Sequence, residues 1–233
     1  MLKLYYARPS LYSRPVWLAL LEKQLDFQLV PVQLDGDQFT DEFRDINPFC
    51  HVPVLVDGDF KVFESAAILD YLEVKYPQPS LLPKDAKTLA NIRMVQSVSF
   101  NELLPAMVTL ILKQDDSEEF NYACKRSINI LNFFENLLEG KTFFAGDRLS
   151  VADLVAGTLA PNLEDLGVSL TNYPRVNTWL KHLKSRSSWQ EIELTEQEWT
   201  RFKRILKVAV KVWSKRRRQY LDSIENSKLE LQS

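Results

Sequence analysis

Two serines, Ser10 and Ser13, lie three positions apart in the segment "ARPSLYSRP" near the start of the chain. A serine hydroxyl can donate a hydrogen bond to a reacting anion, or it can accept one from the first free N–H groups of a helix. Ser13 precedes Pro15 by two residues, and proline is favoured in the first turn of a helix. The spacing therefore predicts Ser13 as the cap of that helix and places Ser10 in the loop before it.

A second group of polar residues ends the segment "NPFCHVPVLVDGDFKVFES", residues 47–65, in which Asp-Gly between two apolar runs predicts a β-hairpin. Glu64 and Ser65 stand where the hairpin gives way to a helix. Free amides and the Ser65 hydroxyl could hold a carboxylate there, and Glu64 could hold an ammonium group. A helix cap beside a solvated acid is the simpler interpretation of this spacing.

The bond between Val52 and Pro53 opens the first strand of the hairpin. A proline at the first residue of a strand can simply mark where the strand begins. Only about 5–6% of X–Pro bonds in folded proteins are cis. A cis bond here would turn the strand edge at Val52 outward, so that its N–H and C=O could pair with an extended peptide. The segment could thus recognise a peptide backbone beside an amino-acid head group.

The elements that must position these residues follow two patterns. The first is a β-α-β-(α)-β-β-α unit, with strands at 2–6, 26–34 and 52–63 and helices at 16–24 and 65–76. The second is purely helical, over about 86–113, 118–139, 150–160, 173–187 and 195–225. We predict an α/β domain over 1–77, a proline-rich linker over 78–85 and an all-α domain over 86–233.

The composition limits the classes of protein to which this chain can belong. The chain has 233 residues, of which 26% are charged and 45% hydrophobic, and its formal charge is −2, which argues against a surface built for nucleic acid. Its apolar run at 103–112 is about half of a bilayer span, so no stable membrane insertion is expected. The amino terminus does not resemble a signal peptide, and Cys50 and Cys124 are expected to be reduced thiols in the cytoplasm. His51 and His182 have no ligand spacing, so no metal site is predicted.

One helix start is marked strongly in the second half of the chain. Ser150 and Asp153 form the capping-box pattern, and Leu149 and Leu154 beside them form a hydrophobic staple. The same carboxyl group could act as an acid in chemistry. The local pattern favours a purely structural role at the start of a buried helix.

Taken together, these motifs resemble the cytosolic glutathione transferases over residues 2–190. The pattern NP-x-x-x-VP-x-L-x-DGD-x-x-x-x-ES-x-AI matches their glutathione site, and G-D-x-L-S-x-A-D at 146–153 and "YPRVNTWLKHL" at 173–183 match their helical domain. The resemblance implies a thioredoxin-like N-terminal domain, an all-helical C-terminal domain and a homodimer. It also implies glutathione as co-substrate, conjugated to small apolar electrophiles in detoxification.

For the glutathione site, the resemblance implies a role for each matching residue. The Val52 backbone, held by a cis bond to Pro53, would pair with the cysteinyl part of glutathione. Glu64 and Ser65 would hold the γ-glutamyl head, and His51 would contact the glycyl carboxylate.

The resemblance also places the catalytic group, because serine-type members such as the theta and zeta classes carry a serine four residues before an arginine. Ser10 stands four residues before Arg14 and would donate a hydrogen bond to the glutathione sulfur; bacterial or cyanobacterial members are a further possible class. Tyr5 and Tyr6 keep the tyrosine-type alternative open. Cys50 is a neighbour of the site rather than its nucleophile, since cysteine-type members carry their cysteine at the position of Ser10.

One departure from the family pattern bears on function. Many relatives have arginine after the Glu-Ser pair, whereas this chain has Ala66. One possible contact to the γ-glutamyl end is therefore missing, so that either the tripeptide binds with modest affinity or a partner subunit supplies the charge. Together with the unusual C-terminal segment, Ala66 supports an alternative from another class, a non-catalytic glutathione-binding or interaction module on the same fold.

The resemblance further implies an electrophile pocket between the first loop and the helical domain. Its candidate residues are Arg8, Pro9, Leu11, Tyr12, Met107, Val108 and Ile111. An apolar stripe on a helix is usually core, which is the competing interpretation of the last three.

The segment from Trp199 to Tyr220 is unlike the family, with nine Lys and Arg residues and no acid. Aromatic and aliphatic residues recur in it at spacings of three and four, which predicts an amphipathic helix packed on the bundle. A lid over the pocket, a membrane-surface contact and a site for an anionic partner are the alternatives.

Overall fold

The computed structural model describes residues 1–34, 36–113 and 116–211. Four strands form one mixed sheet in the order β2-β1-β3-β4. They are β1 (Leu2–Tyr6), β2 (Phe27–Pro31), β3 (Val54–Asp57) and β4 (Phe60–Phe63). β1 runs parallel to β2 and antiparallel to β3, and β3 and β4 form the predicted hairpin. β2 lies at the edge of the sheet, as its proline requires.

Three helices accompany the sheet: α1 (Ser13–Glu22), α2 (Asp41–Ile46) and α3 (Ser65–Lys75). α1 begins three residues before the predicted start and is buried along most of its length, from Ser13 to Leu20. It packs against α3 on one side and against helices of the second half on the other. The predicted thioredoxin-like order of strands and helices is confirmed.

The second half is helical, as predicted. Its helices are α4 (Ala86–Val98), α5 (Leu104–Leu112), α6 (Glu118–Leu137), α7 (Val151–Leu159), α8 (Pro174–Lys184) and α9 (Ser187–Ile192). A π-helical turn, Ser99–Leu103, joins α4 to α5. The resulting run Ala86–Leu112 is long and apolar enough to cross a membrane by length and composition, but half of its most apolar window is buried within the protein, as in a core helix.

The chain divides into two compact units, Met1–Leu194 and Thr195–Ser233. The sheet and helices α1–α9 belong to the first unit. In the second unit residues 196–211 are helical, and the remainder of the predicted helix at 195–225 lies outside the described residues. The domain boundary at 78–85 stays a prediction.

The capping box at the start of α7 is confirmed. The backbone N–H and the hydroxyl of Ser150 donate to Oδ2 of Asp153 at 2.8 and 2.6 Å. The backbone N–H of Phe144 and the indole Nε1 of Trp179 donate to Oδ1 at 3.1 and 2.9 Å. Asp153 is completely buried, and this desolvation raises its pKa to about 6 even though the four donors favour the carboxylate. Asp153 thus joins three segments of the helical half.

The predicted linker is bound tightly to the α/β unit. Lys23, at the end of α1, is buried; its Nζ donates to the carbonyl oxygens of Tyr76 and Pro79 at 2.7 and 2.9 Å and pairs with Oε2 of Glu73 at 2.8 Å. The Glu73 carboxylate also accepts hydrogen bonds from Ser80, Leu81 and Leu82. Burial opposes ionisation of Glu73, but these donors outweigh it and hold its pKa below the ordinary value.

Candidate functional site

The predicted site segments meet at one end of the sheet because of its register. Tyr5 of β1 pairs with Val54 of β3, and Val54 pairs with Phe63 of β4. The loop after β1, the segment before β3 and the start of α3 after β4 therefore all leave the sheet at the same end. Residues far apart in sequence become neighbours in this way.

Ser10 begins the turn that leads into α1. Its carbonyl oxygen accepts hydrogen bonds from the N–H groups of Ser13 and Arg14, both at 3.1 Å, and its Oγ also accepts from the Ser13 N–H at 3.2 Å. The Ser10 side chain is buried at the base of the loop, with 6% of its surface exposed. Among the described residues its hydroxyl donates to no acceptor, so the hydroxyl hydrogen is available for a ligand.

The prediction that Ser13 caps α1 is wrong. Ser13 is the first residue of the helix, and its buried Oγ has no hydrogen-bond partner among the described residues. The turn starts at Ser10, so Ser10 rather than Ser13 faces the first amides of the helix. Arg14 is also buried, and its Nη1 lies 3.5 Å from the carbonyl oxygen of Thr158, which joins α1 to α7.

The segment before β3 has the form that the resemblance implied at Val52. The Val52-Pro53 bond is cis, and no hydrogen bond involves the Val52 backbone within the described part of the chain. Asn47, which is buried, orders this loop: its Nδ2 donates to the carbonyl oxygen of His51 at 2.8 Å and its Oδ1 accepts from the Phe49 N–H at 3.0 Å. Sequence reasoning assigned no role to Asn47, although the Asn-Pro pair was a visible signal.

Cys50 lies beside this segment in a left-handed conformation with φ of +57°. Its thiol interacts with the guanidinium of Arg44, and this contact together with Asp41 raises the pKa of Arg44. The side chain of His51 is exposed. Both residues directly precede Val52 in the chain, and their roles at the glutathione site stay predictions.

The start of α3 is tied to the Ser10 loop. The Ser65 hydroxyl donates to the carbonyl oxygen of Tyr12 at 2.9 Å, so it is not the helix cap that its spacing suggested. Glu64 occupies the N-cap position, makes no capping bond and has φ of +70°, a conformation that costs about 1–3 kcal/mol in a residue with a side chain. The Glu64 side chain is exposed, and the first N–H groups of α3 beside it have no partner within the helix.

The predicted electrophile-pocket residues are only partly brought together. Tyr12 is 42% exposed and its ring stacks on Phe100 at 5.5 Å, a partner that the sequence did not reveal. Burial and the nearby charge of Glu64 raise the pKa of Tyr12. Pro9 and Val108 are half-buried.

Three of the pocket candidates belong to the interior. Met107 and Ile111 have no exposed surface, and Leu11 is buried as well. Met107 and Ile111 thus lie on the inward face of α5, and their assignment to the pocket stays a prediction.

Arg8 is turned toward the end of α9. Its Nη2 donates to the carbonyl oxygen of Glu193 at 2.9 Å and approaches that of Glu191 at 3.4 Å. Its guanidinium also lies over the ring of Trp17 at 5.5 Å. Arg8 therefore anchors the Ser10 loop to the helical half.

Two surface cavities lie away from these residues. One of about 570 Å³ borders the linker and Arg148, and one of about 500 Å³ lies between α5 and α6. Over residues 1–34, 36–113 and 116–211, no group of three His, Cys, Asp or Glu residues could hold a metal ion.

Comparison with known proteins agrees with this architecture. Residues 4–80 match the model of the glutathione S-transferase N-terminal domain, and residues 100–187 match that of the C-terminal domain. Maleylacetoacetate isomerase of Rattus norvegicus is 32% identical over 79% of this chain and 88% of that protein. The zeta-class glutathione S-transferase of Euphorbia esula is 34% identical over 74% of this chain and 81% of that protein. A delta-class glutathione transferase of Nilaparvata lugens superposes with a TM-score of 0.76 at 28% identity, over 89% of this chain and 99% of that one. The chain belongs to the glutathione S-transferase family, whose enzymes use glutathione as co-substrate.

Proposed function

We propose that this enzyme activates glutathione as a thiolate at Ser10 and conjugates it to small apolar electrophiles. The proposal rests on the hydrogen bonding of the Ser10 hydroxyl. Its oxygen already accepts a hydrogen bond from the Ser13 N–H, and its hydrogen has no acceptor among the described residues. A hydroxyl that accepts one bond is polarised toward donating another. Such a donor is suited to a thiolate sulfur.

The energy that this step requires is modest. A thiol with a pKa of about 8.5 is only a few per cent ionised at pH 7, and lowering that pKa by about two units requires roughly 2.7 kcal/mol. A hydrogen bond to a charged group contributes about 1.5–3 kcal/mol. The positive end of α1, which begins at Ser13, adds about 0.3–1 kcal/mol. One hydroxyl and one helix end therefore suffice, without a general base.

The remaining residues would hold the tripeptide. The Val52 backbone, which has no hydrogen bond to any residue that the structure describes, suits the cysteinyl part, and Glu64 and the start of α3 suit the γ-glutamyl head. Ala66 offers no charge to that head. We also propose that the enzyme forms a homodimer in the cytoplasm, as the family resemblance implies.

The proposal is tested by the pKa of the bound thiol. Thiolate absorbance of glutathione bound to the native protein is followed against pH, together with the Ser10→Ala and Ser13→Ala variants. We expect a pKa about two units below the free value in the native protein and in Ser13→Ala, and a return toward the free value in Ser10→Ala. An unshifted thiol in the native protein, or equal curves for all three proteins, would contradict the serine mechanism.

Glutathione-dependent isomerisation is a second candidate, and the similarity to maleylacetoacetate isomerase favours it. The same thiolate would add to a conjugated double bond, allow rotation about the resulting single bond and leave again, so that glutathione is regenerated. The two reactions are distinguished by the balance of glutathione. Conjugation of an activated halide consumes one glutathione per product, whereas isomerisation of a maleyl compound consumes none.

A further inference from the structure

The loop that carries Ser10 is held on both sides of that serine. On one side, the guanidinium of Arg8 donates to the carbonyl oxygen of Glu193 at 2.9 Å. On the other side, the carbonyl oxygen of Tyr12 accepts a hydrogen bond from the Ser65 hydroxyl at 2.9 Å. The position of the Ser10 hydroxyl therefore depends on contacts that Ser10 itself does not make.

The Ser65 hydroxyl is turned into the protein and its hydrogen is already used. Ser65 has only 4% of its surface exposed. A serine hydroxyl has a single hydrogen, and here the Tyr12 carbonyl accepts it. A carboxylate can only accept hydrogen bonds, so while this bond stands the hydroxyl has nothing to donate to a γ-glutamyl carboxylate. The Ser65 side chain is therefore better suited to holding the loop than to holding the head of glutathione.

The backbone at the start of α3 offers the donors that the head group needs. The N–H groups of Ser65, Ala66 and Ala67 make no hydrogen bond to any residue that the structure describes. Free N–H groups at the start of a helix bind anions, and the helix dipole favours negative charge there. These amides can hold a carboxylate without the Ser65 hydroxyl.

A second contact fixes Tyr12 from the helical half. Its ring stacks on that of Phe100, with the ring centroids 5.5 Å apart and an angle of 21° between the planes. Phe100 belongs to the π-helical turn that joins α4 to α5, and such turns are frequent at functional sites. The carbonyl group and the ring of Tyr12 are thus held by two separate elements.

We infer that Ser65 is a positioning residue, whose hydroxyl, together with Phe100, holds Tyr12 and thereby the loop that presents Ser10 to the glutathione sulfur. This role rests on the proposed function of Ser10 as hydrogen-bond donor. It differs from the role that the family resemblance implies, in which Ser65 holds the γ-glutamyl head. Hydrogen bonds weaken steeply when they are misaligned, so a small displacement of the loop is enough to weaken the bond to the sulfur.

The test measures two quantities in Ser65→Ala. The first is the pKa of the bound glutathione thiol, which should rise by about one unit toward the free value, because a hydrogen bond to a charged group corresponds to about one to two pKa units. The second is the affinity for S-methylglutathione, which has the same head group and no ionisable thiol. This affinity should change by much less than about tenfold, the loss expected if a direct bond to the carboxylate were removed.

Three outcomes would count against this role. A fall of about tenfold or more in affinity for S-methylglutathione, with an unshifted thiol pKa, would make the Ser65 hydroxyl a direct ligand and overturn the inference. A lowered thiol pKa that is lost in Ser10→Ala but kept in Ser65→Ala overturns the inference alone. A native protein that does not lower the thiol pKa overturns both the inference and the proposed function.

Two further variants separate positioning from general stability. Ser127→Ala, in α6, removes a buried hydroxyl that donates to a carbonyl oxygen at the same distance of 2.9 Å, and it should leave both quantities unchanged. Phe100→Ala keeps the Ser65 hydroxyl and should also raise the thiol pKa. Phe100 is half-buried, so this variant tests the role even where Ser65→Ala folds poorly. Equal pKa shifts in Ser65→Ala and Ser127→Ala, or no shift in Phe100→Ala, overturn the inference.

Discussion

At the scale of single residues, the two serines near the amino terminus have opposite environments. Ser10 has one lone pair engaged by an amide and its hydrogen available, whereas the hydroxyl of Ser13 is enclosed without a partner in the described part of the chain. A buried polar group without a partner costs about 1–3 kcal/mol. Ser10, the proposed hydrogen-bond donor to the glutathione sulfur, is therefore also the residue that stabilises the start of α1.

Removal of the two hydroxyls should accordingly change stability in different directions. We expect Ser13→Ala to leave the free energy of unfolding unchanged or to raise it by up to about 1 kcal/mol, since it removes an unsatisfied hydroxyl. Ser10→Ala should lower it by about 1 kcal/mol, because the first helical amide loses an acceptor. Urea denaturation of both variants measures these changes. A loss of more than 1 kcal/mol in Ser13→Ala would show that its hydroxyl is bonded after all.

At the scale of elements, the start of α7 depends on one carboxyl group. Asp153 receives four hydrogen bonds from three separate segments, and its burial raises its pKa from 3.8 to about 6. The unfolded chain ionises this group at lower pH than the native protein does. Between the two values the native state binds more protons than the unfolded state, so raising the pH destabilises it.

We therefore expect a contribution of Asp153 to stability that falls as the pH rises from about 4 to about 6, by about 3 kcal/mol in total. Asp153→Asn should lack this pH dependence, because an amide does not titrate. Its free energy of unfolding at pH 7 should be lower by about 2–4 kcal/mol, because an amide cannot accept from all four donors. Urea denaturation at several pH values measures both effects. Asp147→Asn, in the exposed part of the same loop, is the control. Parallel curves for the native protein and Asp153→Asn would contradict the assignment.

The elements were predictable where their signals are local. The Asp-Gly turn, the capping box and the proline at the end of β2 each act over a few residues, and the structure has all three. The roles of Ser10 and Ser13 depend on where a single turn begins, and either spacing is compatible with the sequence. The burial of Met107 and Ile111 could not be decided from the sequence, because an apolar stripe looks the same whether it faces a ligand or a core. Asn47 and Phe100 act through contacts that no spacing encodes.

At the scale of the whole molecule, a buried ion pair fixes the segment between the two halves. Lysine is rarely buried without a partner, and Lys23 satisfies its charge with Glu73 and two carbonyl oxygens. No local pattern indicates this contact, since proline-rich segments are typical of spacers. The spacing of the halves is therefore set by hydrogen bonds to the backbone and not by proline stiffness alone.

Replacement of Lys23 should strongly destabilise the native protein. Lys23→Met removes one partner of a buried pair and should lower the free energy of unfolding by about 3–5 kcal/mol. The low pKa of Glu73 stabilises the native protein above its ordinary pKa of 4.5, and this stabilisation is lost as the pH falls. The stability that is lost at low pH because of Glu73 should therefore be smaller in Lys23→Met than in the native protein. Thermal unfolding between pH 3 and pH 7 measures this difference. Lys87→Met at an exposed position should behave like the native protein.

The pairing of Tyr5 with Val54 and of Val54 with Phe63 has a consequence for how the chain can change. Side chains alternate between the two faces of a strand, so adding or deleting one residue in β1, β3 or β4 would reverse every side chain beyond it. Three segments of the proposed glutathione site depend on that single row of pairs. The site therefore accepts new side chains far more readily than it accepts a change in length, and new specificities are best sought by substitution.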